Sequence, residues 1–233
     1  MNLDIIKKFI HPIHKEGYIF IAIFFVASLF LYSIWEFLGV IGFVLTAWCV
    51  YFFRDPVRYV PQNDGLIVAP ADGTIVMISK AKLPSDLDSE DDEEKTRVSI
   101  FLSVLDVHVN RMPVAGVVEK IKYHAGKFLS AETDKASDEN ERNSILIKTE
   151  DGKNFGVVQI AGLIARRIVC DAKEGREFAR GERYGIIRFG SRVDIYMPPS
   201  LVPKVAIGQK VIGGETIIAE EKPITEELSV REI

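Results

Sequence analysis

The stretch GIIRFGSRVDIYM (185–197) decides the fold of the larger part of this chain. Apolar residues dominate it on both sides of Gly190-Ser191, the only Gly-Ser dipeptide in the sequence, and a glycine there is typical of a β-bulge. Short apolar runs of the same kind recur throughout residues 54–233, between Gly, Pro and Asn-Asp clusters. They cover residues 65–70, 74–79, 98–104, 114–123, 144–149, 155–165, 185–189, 193–197 and 216–219. Because no long helical repeat stands out among them, the pattern predicts a mainly β fold, a single β-rich sandwich-like domain.

The first 53 residues of the 233 have a different character. YIFIAIFFVASLFLYSI (18–34) and FLGVIGFVLTAWCVYFF (37–53) are uncharged, and Trp35-Glu36 separates them. One helix through both runs would be too long for a bilayer core, whereas each run alone makes a helix of about 26 Å. We therefore expect a membrane-associating helical hairpin over residues 1–53, either as a double span or as a shallower insertion.

Basic residues flank this hairpin on both sides and predict its orientation. They are Lys7, Lys8, Lys15, Arg54 and Arg58. The positive-inside rule then places both ends of the hairpin, and the domain 54–233, on the cytoplasmic face of the cell membrane. Two distant cysteines, Cys49 and Cys170, form no disulfide framework, which fits a reducing compartment.

The net charge of −4 is unevenly distributed. Positive and negative side chains balance in residues 1–53, and SDLDSEDDEEK (85–95) holds seven acidic residues that are typical of a solvated loop. The rest is mildly basic, with a series at Arg166, Arg167, Lys173, Arg176, Arg180, Arg183, Arg188 and Arg192. On a membrane-anchored domain this series favours anionic lipid headgroups. Nucleic acid is not an expected partner, because RNA-binding signatures and interleaved aromatic residues are missing.

Common catalytic and metal-binding motifs are missing from the sequence. It contains no HExxH, CxxC, P-loop, GxGxxG or GxSxG pattern, so no metal site is predicted. Three residues remain as candidates for chemistry, and each has an ordinary structural interpretation when taken alone. His108 is a lone histidine on a strand-like segment, Asp72 lies in an Asp-Gly turn, and Ser191 follows the glycine described above.

Taken in order, the motifs are more specific. FFRDP (52–56), APADGTI (69–75), DVH (106–108), Glu141-Arg142-Asn143 and GSR (190–192) together resemble the phosphatidylserine decarboxylase family in its short bacterial and archaeal form. The resemblance covers roughly residues 52–220 together with the apolar hairpin. It implies pyruvoyl-dependent decarboxylation of phosphatidylserine to phosphatidylethanolamine and CO₂.

The resemblance also implies that the chain is a proenzyme. Ser191 would attack the carbonyl of Gly190 and cleave the chain into a large piece, 1–190, and a small piece, 191–233, which stay together as a heterodimer. The covalent pyruvoyl cofactor would derive from Ser191. The resemblance assigns Asp72 to the self-cleavage machinery and His108 to the decarboxylation step.

One position departs from the family pattern. Many relatives carry a second histidine three residues after the first, as partner to the aspartate and serine in self-cleavage. Here that position is Arg111, which is no base at neutral pH. Either His108 serves both steps or His124, in YHAGKF, serves one of them. We hypothesise that His108 serves both.

A second class of protein shares part of the pattern. APADGTIVMI (69–78) and KVAIGQKVIGGETIIAE (204–220) resemble the two halves of a lipoyl- or biotinyl-type module, and Asp134-Lys135-Ala136 is similar to a lipoyl-lysine tripeptide. The alternative is thus a membrane-tethered carrier or adaptor without catalysis. Lys135 lies in polar surroundings, without the apolar strands that clamp a lipoylated hairpin.

Overall fold

A computed structural model describes residues 11–87, 93–126, 139–162, 167–188, 191–221 and 228–233. The chain forms two compact units, Met1–Val57 and Arg58–Ile233. The first contains the described helical pair and the second contains the strands, so the predicted mainly β fold with an apolar helical segment before it is confirmed. The proposed domain limits, 1–53 and 54–233, stay a prediction.

The helices of the first unit are α1 (Tyr18–Ile34) and α2 (Glu36–Phe52), and Trp35 separates them in an extended conformation. They run antiparallel, because Tyr32 near the end of α1 lies against Gly39 near the start of α2, while Ser28 Oγ, earlier in α1, lies 3.2 Å from Thr46 Oγ1, later in α2. Small residues let the helices approach closely: a Cβ added to Gly42 would lie 2.6 Å from Ser28 Oγ. The predicted helical hairpin is therefore present, with its break where the sequence places it.

The outward faces of this hairpin are apolar. Large side chains such as Ile19, Ile23, Phe30 and Val44 are more than half exposed. The helical segment Lys15–Ile34 is long and apolar enough to cross a membrane, and α2 is apolar but shorter. An apolar helix with an apolar exposed surface is able to serve as a membrane anchor.

Within the described residues, the second unit contains sixteen strands, and every pairing between them is antiparallel. They are β1 (Tyr59–Pro61), β2 (Leu66–Val68), β3 (Gly73–Ala81), β4 (Lys95–Leu102), β5 (Val109–Arg111), β6 (Gly116–His124), β7 (Arg142–Lys148), β8 (Asn154–Ala161), β9 (Arg167–Cys170), β10 (Glu177–Phe178), β11 (Arg183–Arg188), β12 (Ser191–Met197), β13 (Val202–Pro203), β14 (Lys210–Val211), β15 (Ile217–Glu220) and β16 (Val230–Glu232).

The strands form one large sheet and three small ones. The large sheet has the order β10-β6-β7-β8-β12-β4-β3-β14, and β5-β11-β9 form a separate three-stranded sheet. A second three-stranded sheet, β13-β15-β2, and the two-stranded sheet β1-β16 complete the described part of the unit. Strand β12 is thus central, with a partner on each side.

Several strands of the large sheet begin or end at the same level. Ser191, the first residue of β12, lies opposite Leu102 at the end of β4 and Ala161 at the end of β8. Strand β3 begins close to this level at Gly73, and β7 begins there at Arg142. We call this level the Ser191 end of the sheet. The strand ends that lie next to most of the sequence motifs are found there.

The two faces of the large sheet have separate cores. The larger core contains Ile100, Val157 and Val193, on the same face as Ser191. The opposite face carries a smaller cluster that includes Ile160 and Tyr196. Alternation along β12 therefore assigns Ser191 to the main interior.

All nine predicted apolar runs contain strands, but the stretch 185–197 is divided differently from our expectation. Strand β11 ends at Arg188 in the three-stranded sheet, and β12 begins at Ser191 in the large sheet. The interpretation of one β segment with a bulge is therefore wrong. Residues 189–190 lie outside the described part of the chain. Ser191 stands where the chain passes from one sheet to the next.

Candidate active site

Ser191 is fully buried at the start of a central strand. Its Oγ has no hydrogen-bond partner within the described residues. A buried hydroxyl without a partner is unfavourable for folding, which makes this atom a candidate for chemistry. Gly190, the other half of the predicted cleavage site, lies outside the described residues.

His108 is fully buried as well. Its Nδ1 lies 3.0 Å from the carbonyl oxygen of Asp106, and its own carbonyl accepts a hydrogen bond from the Ile187 amide at 3.3 Å. Asn110, two residues along the same extended segment, contacts Gln159 of the large sheet. His108 directly precedes β5, and its bond to Ile187 continues the β5–β11 register, so we infer that its side chain shares the face of Asn110 and is directed towards the large sheet.

The strand registers place His108 towards the Ser191 end. Asn110 lies opposite Gly185, and His108 is bonded to Ile187, which is further along β11. Only two residues separate the end of β11 from Ser191, so this end of β11 lies within about 11 Å of Ser191. The structure thus brings His108 and Ser191 to the same end of the interior between the two sheets.

Asp72 is held in an ion pair rather than by a histidine. Arg58 Nη2 donates to Asp72 Oδ1 at 2.9 Å and to Oδ2 at 2.7 Å. The Gly213 amide donates to Oδ1 at 2.8 Å. Burial raises the pKa of Asp72 above its ordinary value, although Arg58 and Gly213 act in the opposite direction.

Arg111, at the position where relatives have a second histidine, lies beside the same loop. Its side chain occupies the opposite face of β5 from His108, and Nη1 donates to the Gly181 carbonyl at 3.0 Å. A Cβ added to Gly214 would lie 3.0 Å from Arg111 Cδ. Arg111 thus lies near the loop whose Gly213 amide binds Asp72, while the cation in contact with the Asp72 carboxylate is Arg58.

His124 is far from Ser191. It is exposed at the end of β6, in a cross-strand row that continues through Arg142 and Ile160 to Arg192. Three strand spacings put it about 14 Å from Arg192. This row lies on the opposite face of the sheet from Ser191. The geometry therefore does not support His124 as a base for self-cleavage.

Two arginines of the predicted basic series have side chains that are buried or that bind backbone carbonyls. Arg192 is fully buried, and its Nε lies 2.8 Å from Oδ1 of Asp194, which is also fully buried. Arg180 donates to three backbone carbonyls, those of Pro61, Asn63 and Leu66. The expectation that the whole series faces anionic headgroups is thus wrong for these two arginines.

A chain of buried amides lies close to His108 and was not predicted from the sequence. Asn143 Nδ2 donates to Gln159 Oε1 at 3.1 Å, and Gln159 Nε2 donates to Asn110 Oδ1 at 2.8 Å. All three side chains are buried. A polar residue on the core face of an apolar strand was the available signal, because such residues need partners.

A cavity of about 590 Å³ lies away from these residues. Its lining includes Gly65, Thr149, Phe155 and Glu221. Thr149 follows β7 and Phe155 is near the start of β8, so the cavity is at the opposite end of the large sheet from Ser191. It does not contribute to the candidate site.

The Arg58–Asp72 pair yields a prediction with a defined sign. Arg58→Met is expected to destabilise the chain by about 3–5 kcal/mol near neutral pH, because it leaves a buried carboxylate without its cation. Removing Arg58 raises the pKa of Asp72 further. Asp72 of the variant then has a higher pKa in the folded state than in the unfolded state. The free energy of unfolding of the variant therefore decreases further as pH rises and Asp72 loses its proton.

Thermal unfolding of the purified full chain in detergent, between about pH 4 and about pH 8, measures this effect. The control is the double variant Arg58→Met/Asp72→Asn, which removes both charges and should recover much of the loss. A single variant whose deficit does not change with pH would contradict the ion pair as the cause.

Comparison with known proteins agrees with the order of these motifs. The family model for phosphatidylserine decarboxylase matches residues 45–219. The chain is 53% identical over 220 residues to the phosphatidylserine decarboxylase proenzyme of Cereibacter sphaeroides, and the match covers 94% of each chain. A carrier module is not favoured by either comparison. Motif order, buried serine and close relative agree: the chain belongs to the phosphatidylserine decarboxylase family.

Proposed function

We propose that this chain is a self-cleaving proenzyme that converts phosphatidylserine to phosphatidylethanolamine and CO₂. The observation that carries the proposal is the Ser191 hydroxyl, which is fully buried and has no hydrogen-bond partner among the described residues. It stands next to the predicted scissile bond, in a family whose name specifies the reaction.

The surroundings of Ser191 fit a pyruvoyl group at this position. The cross-strand neighbours are Leu102 and Ala161, both fully buried and apolar. A small uncharged carbonyl group needs no counter-ion there. In the intact proenzyme the same surroundings keep water away from the hydroxyl.

We assign self-cleavage to Ser191 in the following steps. Its Oγ attacks the Gly190 carbonyl carbon, the C–N bond breaks, and the hydroxyl proton passes through a base to the freed amine. The base next removes the Cα proton, and the Cβ–Oγ bond breaks to release a carboxylate on Gly190. The dehydroalanine that remains tautomerises, takes up one water and loses one ammonia. We assign the base to His108, which the registers direct to this end of the interior.

The mature site then needs an electron sink and a proton donor. The pyruvoyl group supplies an electrophilic carbonyl for the headgroup amine of the lipid. His108 delivers the proton that replaces CO₂ on the headgroup carbon, with its ring oriented by the Asp106 carbonyl. Asp72, fixed by Arg58, acts in self-cleavage as an electrostatic and positioning group.

We also propose how the mature protein is organised. The large chain, 1–190, and the small chain, 191–233, remain a heterodimer because β12 is paired with β8 on one side and β4 on the other. The α1–α2 hairpin anchors the heterodimer in the cell membrane, with the catalytic domain on the cytoplasmic face. Its lipid substrate is then available in the same membrane.

Mass spectrometry of the purified protein tests the proposal. We expect two chains, and the 43-residue chain 191–233 should be about 17 Da lighter than one with an intact N-terminal serine, because conversion of that serine to a pyruvoyl group is a net loss of one NH₃. An intact 26.2 kDa chain in folded protein would contradict it and favour the carrier or adaptor alternative. The lipoyl-like Lys135 of that alternative lies outside the described residues.

A further inference from the structure

The chain of buried amides connects the two sheets that carry the site. Asn110 belongs to β5 in the three-stranded sheet, whereas Gln159 belongs to β8 in the large sheet. The hydrogen bond between their side chains, 2.8 Å long and fully buried, therefore crosses the interior between the sheets. Asn143, on the neighbouring strand, donates a hydrogen bond to the Gln159 carboxamide oxygen. Both the nitrogen and the oxygen of that carboxamide are therefore hydrogen-bonded.

Both partners are close in sequence or register to the reactive residues. Asn110 is two residues from His108 on the same face of the segment. Gln159 is two residues from Ala161, the cross-strand partner of Ser191, and it pairs with Val193 of β12. The bond thus joins the segment that contains His108 to the sheet that contains Ser191. It lies two residues along the strand from each of these residues.

The backbone leaves room for this contact. Gly185 of β11 lies opposite Asn110, and a Cβ added there would be 2.3 Å from the Val169 carbonyl oxygen and 3.1 Å from Gln159 Nε2. The first distance excludes a side chain at this position, and the second is tighter than nine in ten real Cβ contacts. The glycine thus accommodates the backbone of β9 as well as the Gln159 carboxamide.

The importance of this bond changes when the chain is cleaved. Before cleavage, β11 and β12 are joined covalently through residues 189–190. After cleavage, the sheet that contains the His108 segment and strand β12, which begins at residue 191, are held together only by non-covalent contacts. We propose that Gln159 is a positioning residue for decarboxylation, which keeps His108 aligned with residue 191 in the cleaved enzyme.

This inference rests on the proposed function and predicts different effects on the two reactions. Gln159→Met keeps the shape of the side chain and removes both hydrogen bonds. Self-cleavage should stay within about threefold of the parent rate, because chain continuity still positions the groups. The kcat for decarboxylation should fall by about 10- to 100-fold with little change in KM, since an ångström of misplacement costs about that much.

The partner variant separates positioning from stability. Asn110→Leu breaks the same bond from the other side and should give a similar loss of kcat. The double variant Asn110→Leu/Gln159→Met replaces both polar groups by apolar ones, which should recover part of the unfolding midpoint lost in the single variants. The kcat of the double variant should stay low, because the hydrogen bond between positions 110 and 159 is still missing.

Val157→Ala is the matched control. Val157 lies two residues from Gln159 on the same face of β8 and belongs to the same core, but its apolar side chain takes no part in the Asn110–Gln159 hydrogen bond. It should lower the unfolding midpoint and keep the parental kcat. Cleavage and turnover are followed on the full chain, with phosphatidylserine in detergent micelles as substrate.

The outcomes are distinguishable. A parent chain that stays uncleaved would contradict the proposed function, and the inference with it. A cleaved, active parent whose Gln159→Met variant retains the parental kcat would overturn the inference alone. A double variant that recovers kcat together with its unfolding midpoint would also overturn it, because the role of Gln159 would then be purely structural.

Discussion

Ser191→Ala is expected to leave the protein as one uncleaved 26.2 kDa chain without decarboxylase activity. Alanine removes the nucleophile and the precursor of the cofactor in one change, so both reactions are lost. We expect less than about a thousandth of the parental rate, which is a modest bound for loss of a nucleophile. The fold should persist, because the Ser191 Oγ makes no hydrogen bond to the described residues.

Gel electrophoresis and an assay for released CO₂ measure this result. Ser99→Ala is a close control, because Ser99 is also a fully buried serine with an unpartnered Oγ. It lies on β4 opposite Asp194, on the other face of the sheet. Normal cleavage of Ser99→Ala would show that burial alone does not explain the effect. Cleavage of Ser191→Ala at the parental site would contradict our assignment of the nucleophile.

The sequence was sufficient for the strands that build the large sheet and for the helical hairpin. Runs such as 98–104 and 144–149 are long enough to show the apolar pattern of buried strands, and each lies largely within an observed strand. Trp35-Glu36 marks the helix break, because it is the one polar interruption between two apolar runs. Local composition thus determines these elements.

The assignment of strands to sheets was not available from the sequence. GIIRF and VDIYM are both mainly apolar five-residue runs with one charged residue, and nothing local indicates that β11 and β12 belong to different sheets. Short strands such as β9 and β10 were missed, since two to four residues show no periodicity. The strand-like segment around His108 was predicted, but its place in the separate three-stranded sheet was not.

Charge was the least reliable guide to the site. Arg192 was counted as a surface cation, yet its partner Asp194 stands two residues away on the same face of an apolar strand. That spacing in a fully buried strand was a readable sign of an internal ion pair. The Arg58–Asp72 pair was not readable, because fourteen residues and a turn separate the two side chains.

His108→Ala tests whether one histidine serves both reactions. Dual use predicts that the variant remains mostly uncleaved, with self-cleavage slowed by about 100- to 10,000-fold, the usual contribution of a general base. His108→Gln should behave similarly. It replaces the ring with a polar side chain that is able to reach the Asp106 carbonyl, so it preserves packing better than alanine does. His124→Ala should cleave at the parental rate, because that residue is exposed on the opposite face of the sheet.

The time course of cleavage after synthesis distinguishes the two roles of His108. If the chain cleaves normally in His108→Ala but releases little CO₂, dual use is wrong and only the decarboxylation role remains. Arg111→His provides the complementary measurement, because it restores the second histidine of the family pattern. In the His108→Ala background it should recover neither reaction, since Arg111 lies on the other face of β5 from His108. Recovery of cleavage would show that the base need not lie on the face of β5 that His108 occupies.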